Sequence, residues 1–279
     1  MIKKDHLSFK DFLILDEAAV KQEPQYISVE IENAIEELNK YAKDALWMIK
    51  NNTPLYRGDS SDNIVVAMRT GFATVDPSAT RRKSENTSNY YTVILDNHPG
   101  YKDFPKRSRS FIGSTDYYVA RDYSIFDNNT YAMIPYDGVK IGMVNNKDIW
   151  HTEITIFGKT HGIDYINTMF ERMGIDESLK GLKDFDKCLK NDDLEAIKKF
   201  QEAFTLNESD LEKYKNIFLE EIWRAYSPKE TGFTVHTTKT LPRPLPNSEV
   251  WVGGKVMLID MEMWNKMVNE TYKFFKNQS

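Results

Sequence analysis

The sequence predicts an α+β fold, with one sheet-rich core interrupted by a run of helices. Three observations carry this reading. Short β-prone stretches broken by turns occupy residues 54–144, and strand character returns over 231–260. Between them, four segments carry helical periodicity. Strand-rich segments on both sides of a helical run fit one core better than two tandem units. The expectation is therefore a single domain over 1–279, with a helical insert at about 160–228.

Taken in order, residues 1–25 start polar, and Phe12, Leu13, Ile14 and Leu15 suit an arm or a short helix. Residues 28–50 read as a helix. Ser28 is the expected N-cap, and Glu30, Glu32 and Glu36 suit the positive end of the helix dipole. Ile31, Ile35, Leu38, Ala42, Ala45, Leu46 and Ile49 recur at helical spacing, and Asn51-Asn52-Thr53-Pro54 ends the helix. Leu55-Tyr56-Arg57-Gly58 starts a short strand. Ile64 to Met68 reads as a helical turn or a second short strand, and residues 69–90 as a polar loop. Tyr90 to Leu95 is β-prone or opens a helix. Ser110 to Thr115 reads as a strand ending in small polar residues, followed by a short helix over Tyr117 to Tyr123. Strands at 131–135 and 139–144 flank a Tyr136-Asp137-Gly138 turn.

The helical periodicities run over 164–173, 176–188, 192–204 and 209–226, with Asn207 and the Asn191-Asp192-Asp193 stretch as helix starts. Their Lys and Glu residues suggest a solvated face. Strand character resumes at 232–237. Glu249-Val250-Trp251-Val252 and Lys255 to Ile259, separated by Gly253-Gly254, read as a hairpin. A helix over Met261 to Phe275 closes the chain.

Composition narrows the function classes. Apolar residues make up 41% and charged residues 28%, and fifteen Tyr, fifteen Phe and five Trp argue for a packed core. The net charge of −5 gives no whole-chain attraction to nucleic acid. Local basic stretches at Arg81-Arg82-Lys83 and Lys106-Arg107-Ser108-Arg109 could still steer a polyanion, and the Tyr90-Tyr91 pair could stack on a base. The single cysteine, Cys188, excludes an internal disulfide and a multi-cysteine metal site. No apolar run reaches membrane-spanning length and no signal-peptide core is present, so the expected location is cytoplasmic, without a membrane partner.

Several motifs are absent. The chain has no Gly-rich phosphate loop, no Rossmann fingerprint and no Gly-x-Ser-x-Gly nucleophile elbow. Its five histidines are scattered, and neither His151 with Glu153 nor His161 with Asp164 has a recognised metal spacing. No metal is expected.

Three short motifs remain: Tyr56-Arg57-Gly58 after a helix, Ser114-Thr115 at a strand end, and Asn247-Ser248-Glu249 opening a late strand. In that order they resemble the arginine–serine–glutamate class of mono-ADP-ribosyltransferases, the cholera-toxin-like group. The resemblance spans roughly 27–144 and 231–260. It implies a split pair of antiparallel sheets around a cleft for NAD, which serves as co-substrate. It further implies that Arg57, with Tyr56 and Gly58 beside it, binds or shapes the NAD site. Ser114 and Thr115 would orient the glutamate and support the nicotinamide pocket. Glu249 would be the catalytic carboxylate, with Asn247 at the position two residues before it. The chain departs from the family pattern at Asp116, where a second serine is usual, and at Asn247, where glutamate or glutamine is usual. An amide at 247 points away from arginine as acceptor.

The bare chemistry agrees with these roles. Cleaving the bond between nicotinamide and ribose builds positive charge on the ribose, which a carboxylate can stabilise. An arginine fork matches a diphosphate. The acceptor implied is macromolecular, either a host protein or a nucleic acid, and phage-encoded enzymes occur in the family. The rival expectation is a non-catalytic structural or interaction protein, such as a phage virion or assembly component, on a degenerate transferase fold.

Overall fold

The computed structural model describes residues 25–59, 61–80, 88–124 and 129–276. The expected arm at 12–15 and the basic cluster at 81–83 lie outside these residues.

A strand, not a helix cap, comes first. Strand β1 (Tyr26–Ser28) pairs antiparallel with β3 (Phe72–Val75), and the Val29 N–H extends the ladder to the Phe72 carbonyl. This pairing holds Ser28 extended and removes it from the expected N-cap. Helix α1 (Ile31–Tyr41) starts two residues after Val29, and α2 (Leu46–Lys50) follows a 3-10 turn. The buried face is formed by Ala34, Leu38, Ala42, Ala45 and Met48, while Ile31 and Ile35 stay exposed. Small alanines let the helix sit close to the sheet, and the isoleucines point away. Strand β2 (Leu55–Gly58) comes next, then α3 (Asp62–Ala67), which settles the open reading of 64–68 as helix.

The polar segment 69–90 hides β3, whose four residues are all buried. Helix α4 (Tyr90–Asn97) follows. Tyr90 and Tyr91 are buried in it, and the Tyr90 hydroxyl donates to the Ile175 carbonyl at 2.5 Å. Both are core residues rather than exposed rings. Strand β4 (Phe111–Ser114), helix α5 (Tyr117–Arg121), and strands β5 (Thr130–Pro135) and β6 (Ile141–Met143) complete the first part of the chain.

Strands β7 (Glu153–Ile156) and β8 (Lys159–Gly162) form a separate two-stranded sheet. Three of the four predicted helical segments appear as α6 (Ile163–Arg172), α7 (Leu179–Lys190) and α8 (Leu194–Phe204), the fourth is divided into α9 (Glu208–Tyr214) and α10 (Phe218–Ala225), and an unpredicted single turn, α11 (Pro228–Thr231), follows. Asp193 and Asn207 cap α8 and α9 through their side chains, as their residue type favours. The inner face of these helices is aromatic. The Phe157 ring lies 4.9 Å from Phe200, 4.7 Å from Phe204 and 5.5 Å from Tyr214, at T-shaped angles that suit ring quadrupoles. Strand β9 (Thr234–His236), β10 (Glu249–Val252), β11 (Val256–Asp260) and α12 (Met261–Lys276) end the described chain.

Nine strands form one antiparallel sheet in the order β1-β3-β11-β5-β2-β4-β10-β6-β9. The expected β10–β11 hairpin does not exist. β10 lies between β4 and β6, whereas β11 lies between β3 and β5. The Gly253-Gly254 pair reads as a hairpin turn, but its role is close approach. A Cβ on Gly253 would meet Pro105 Cβ at 2.2 Å, and one on Gly254 would meet Val139 at 3.0 Å. The turn after β5 likewise carries the chain from one side of the sheet to the other. The two sides meet at β2 and β4 through one register pair, Tyr56 with Ser114. Two cores pack against the sheet, and β10 contributes to both. Leu38, Leu55, Phe72, Met133, Val250, Leu258 and Trp264 belong to the first. Tyr91, Phe157, Phe170, Phe200, Phe218 and Trp251 belong to the second, so the helices pack onto the sheet through the β10 face that carries Trp251.

Candidate active site at the sheet junction

The predicted site residues come from three strands that the topology makes neighbours. Ser114 ends β4. It is paired with Tyr56 of β2 on one side and with Glu249 of β10 on the other. Motifs far apart in the sequence thus share one row across the junction. A cleft opens at this row, enclosing about 860 Å³ including space open to solvent. Arg57, Gly58, Ser114 and Glu249 line it, together with Tyr91, Arg107, Tyr123, Lys147, Asp148 and Trp150.

Glu249 is 5% exposed, and its carboxylate is held by three donors. Oε1 accepts from Arg107 Nη2 at 3.0 Å and from Trp251 Nε1 at 2.6 Å. Oε2 accepts from the Ile149 N–H at 3.1 Å. The expectation that the Ser114 and Thr115 hydroxyls orient this carboxylate is therefore corrected. The Ser114 Oγ accepts from the Asp116 N–H at 3.0 Å and lies 3.5 Å from the Ser248 carbonyl. Thr115 clamps the segment just before the glutamate. Its N–H donates to the Ser248 carbonyl at 2.9 Å, its Oγ1 accepts from the Ser248 N–H at 2.8 Å, and the same hydroxyl donates to the Pro246 carbonyl at 2.6 Å. These residues fix where β10 begins, and so place Glu249 without touching its carboxylate.

Asn247 is exposed and does not line the cleft. Its Nδ2 donates to Asp116 Oδ2 at 3.1 Å, and Asp116 Oδ1 caps α5 by accepting from the Tyr118 N–H. Tyr56 also stays out of the cleft and packs edge-on against Tyr117 at 5.6 Å. Gly58 is required by close approach, since a Cβ there would meet the Ala120 carbonyl oxygen at 1.9 Å. That approach brings α5, with Val119 and Ala120, against β2 to form one cleft wall.

Arg57 is largely engaged. Nη1 donates to the Ile112 carbonyl at 2.8 Å, Nη2 pairs with Asp59 at 3.0 Å, and the guanidinium lies 5.0 Å from the Phe111 ring. It ties β2 to β4 and so shapes the junction. Its buried Nε has no partner among the described residues. Burial works to raise the pKa of Asp59, but the charge of Arg57 and the bonds from Ser61 and Arg57 outweigh it, and the net direction is down.

Sequence reasoning placed Arg107 in a local basic stretch that could steer a polyanion. The structure turns it inward, 13% exposed, while its neighbour Arg109 stays outside. Burial opposes its charge, yet Glu249 and Tyr91 hold its pKa above the ordinary arginine value. Trp251 was also missed as a site residue. The signal was present, because residues two apart on a strand share a face and Trp251 lies two after Glu249. The Ile149 donor comes from a 3-10 turn capped by Asp148 Oδ1, which accepts from the Trp150 N–H at 2.9 Å. Asp148 Oδ2 accepts from the Tyr123 hydroxyl at 2.5 Å, and burial together with this carboxylate pushes the Tyr123 phenol up.

No protein-family model, curated protein or solved structure matches the chain. Among the described residues no group of three or more His, Cys, Asp and Glu could hold a metal ion, and no helix is long and apolar enough to cross a membrane.

Proposed function

We propose that the chain is an NAD-dependent mono-ADP-ribosyltransferase that uses the junction cleft, on a core of two antiparallel half-sheets of the transferase type. One observation carries the reading. The sheet register puts Tyr56, Ser114 and Glu249 in one row, with Arg57 adjacent, around a cleft. A random scatter of an arginine, a serine and a glutamate over 279 residues would have no reason to converge there.

The side chains suit the chemistry. A carboxylate oxygen has two acceptor directions. Oε1 has two donors and Oε2 has one, so one lone pair of Oε2 is left for a ligand hydroxyl. Cleavage of the nicotinamide–ribose bond sends the bonding pair to nicotinamide and leaves positive charge on the ribose. Glu249 then stabilises that charge by accepting the ribose hydroxyl, and the acceptor nucleophile attacks the same carbon and loses its proton. Lys147, exposed on the cleft wall, provides a cation for the diphosphate, and Arg57 acts by bracing the junction.

The test is incubation of the protein with NAD and a cell lysate. It follows nicotinamide release and the ADP-ribose label on protein and on nuclease-sensitive material. Glu249→Gln is expected to lower kcat by about 100-fold or more while leaving NAD affinity nearly intact. NAD should also raise Tm, since a ligand bound only to the native state stabilises it. No release by the unaltered protein, or full activity in Glu249→Gln, overturns the proposal.

One observation favours a second reading. Arg57 and Glu249 both already have protein partners, as structural ion pairs do. On that reading the row is a brace for the sheet junction in a non-catalytic interaction protein, and NAD leaves Tm unchanged.

A further inference from the structure

The geometry points to Arg107 as the positioning residue for Glu249. This inference rests on the transferase reading above and deepens it. A catalytic carboxylate on a strand end has free side-chain torsions, and orientation within a fraction of an ångström matters to rate. In this protein the torsions are fixed by donors on Oε1. Arg107 Nη2 and Trp251 Nε1 both bind that oxygen, at 3.0 and 2.6 Å. With Oε1 taken up, Oε2 is the atom left to present a lone pair to a ligand.

Arg107 is itself held at both ends. Its backbone N–H donates to Asp96 Oδ1 at 2.7 Å. Its Nη1 lies 3.3 Å from both the Tyr91 hydroxyl and Thr92 Oγ1, in the first turn of α4. Its guanidinium carbon sits 4.8 Å from the Tyr91 ring and 5.7 Å from the Trp251 ring. A planar cation close to two rings and hydrogen-bonded to three side chains has little freedom. The orientation of Glu249 is thus transmitted from α4 and the aromatic core behind it. Arg107 does not need to touch NAD for this role.

The test compares Arg107→Gln and Arg107→Lys with the unaltered protein in nicotinamide release, with kcat referred to the folded fraction. In Arg107→Gln, kcat is expected to fall at least about 10-fold while KM for NAD changes by less than about 3-fold. Arg107→Lys keeps the charge but not the planar fork, and is expected to recover part of the lost kcat. An Arg107 that binds NAD directly would instead raise KM. One that only supports the fold would lower Tm and leave kcat per folded molecule unchanged. Either result overturns the inference. If Arg107→Gln does not fold, the lysine variant reads the same split. Absence of release by the unaltered protein overturns the transferase reading and this inference together. Release by the unaltered protein with unchanged kcat in both variants overturns this inference alone.

Discussion

Asn247 donates its side-chain N–H to Asp116 Oδ2 at 3.1 Å. These are the two positions at which the sequence departs from the expected transferase pattern, and they are hydrogen-bonded to each other. Each departure therefore makes sense of the other. A glutamate at 247 would face the Asp116 carboxylate, and a serine at 116 would leave the amide without its acceptor.

A double substitution tests this coupling. Asn247→Glu alone is expected to destabilise the protein by about 1 kcal/mol or less, because position 247 is exposed and Asp116 only partly buried, so solvent screens the repulsion. Asp116→Ser alone keeps a good helix cap and costs less still. Together they should be better tolerated than the sum, as read from urea unfolding midpoints. Strict additivity would show that the pair is not coupled.

Gly58→Ala probes the wall of the cleft. The added methyl would sit 1.9 Å from the Ala120 carbonyl oxygen, which belongs to helix backbone and cannot rotate away. The expected cost is about 1–3 kcal/mol or more from forced displacement of α5. The measurement is the urea midpoint at unchanged slope. A midpoint equal to that of the unaltered protein would mean that α5 is not held against β2.

Acid sensitivity should come in part from His98. Its Nδ1 accepts from the Gly100 N–H at 2.8 Å, and its Nε2 faces the Trp223 carbonyl at 2.6 Å, which suits a neutral ring carrying its proton on Nε2. Burial pushes its pKa below the ordinary 6.5, and the Trp223 bond only partly opposes this. The unfolded chain therefore takes up the proton first as pH falls. The stabilisation is complete above about pH 6.5 and is lost below it, with a slope of at most about 1.4 kcal/mol per pH unit. His98→Gln should flatten stability against pH between 7 and 5. An unchanged slope assigns the acid sensitivity to other groups.

Local features were legible in the sequence. The strands at Leu55, Phe111 and Glu249, and the helices between 163 and 225, follow directly from periodicity and punctuation. What escaped was set by pairing over distance. Nothing near Gly253-Gly254 says that β10 and β11 part company, because a turn signal is local and strand partners are not. β3 was hidden by its polar flanks, and Ser28 was claimed by a sheet edge that a helix-capping rule does not see. The site followed the same division. Motif order singled out Arg57, Ser114 and Glu249, which line one cleft, but not the groups that hold the glutamate. Arg107 read as part of a basic stretch that could steer a polyanion, and the fold turns it toward a buried partner.

The separation of β10 from β11 has a consequence for how the molecule forms. Both strands come late in the chain, yet each is an interior strand of its half-sheet, with neighbours on either side. Neither ladder is complete until the residues after 248 arrive. Glu249 then meets Arg107 across a sequence separation of 142 residues. Such contacts have high sequence separation and form slowly. A chain that ended before residue 249 would therefore hold Arg107 without its carboxylate and leave β4 and β6 with no strand between them.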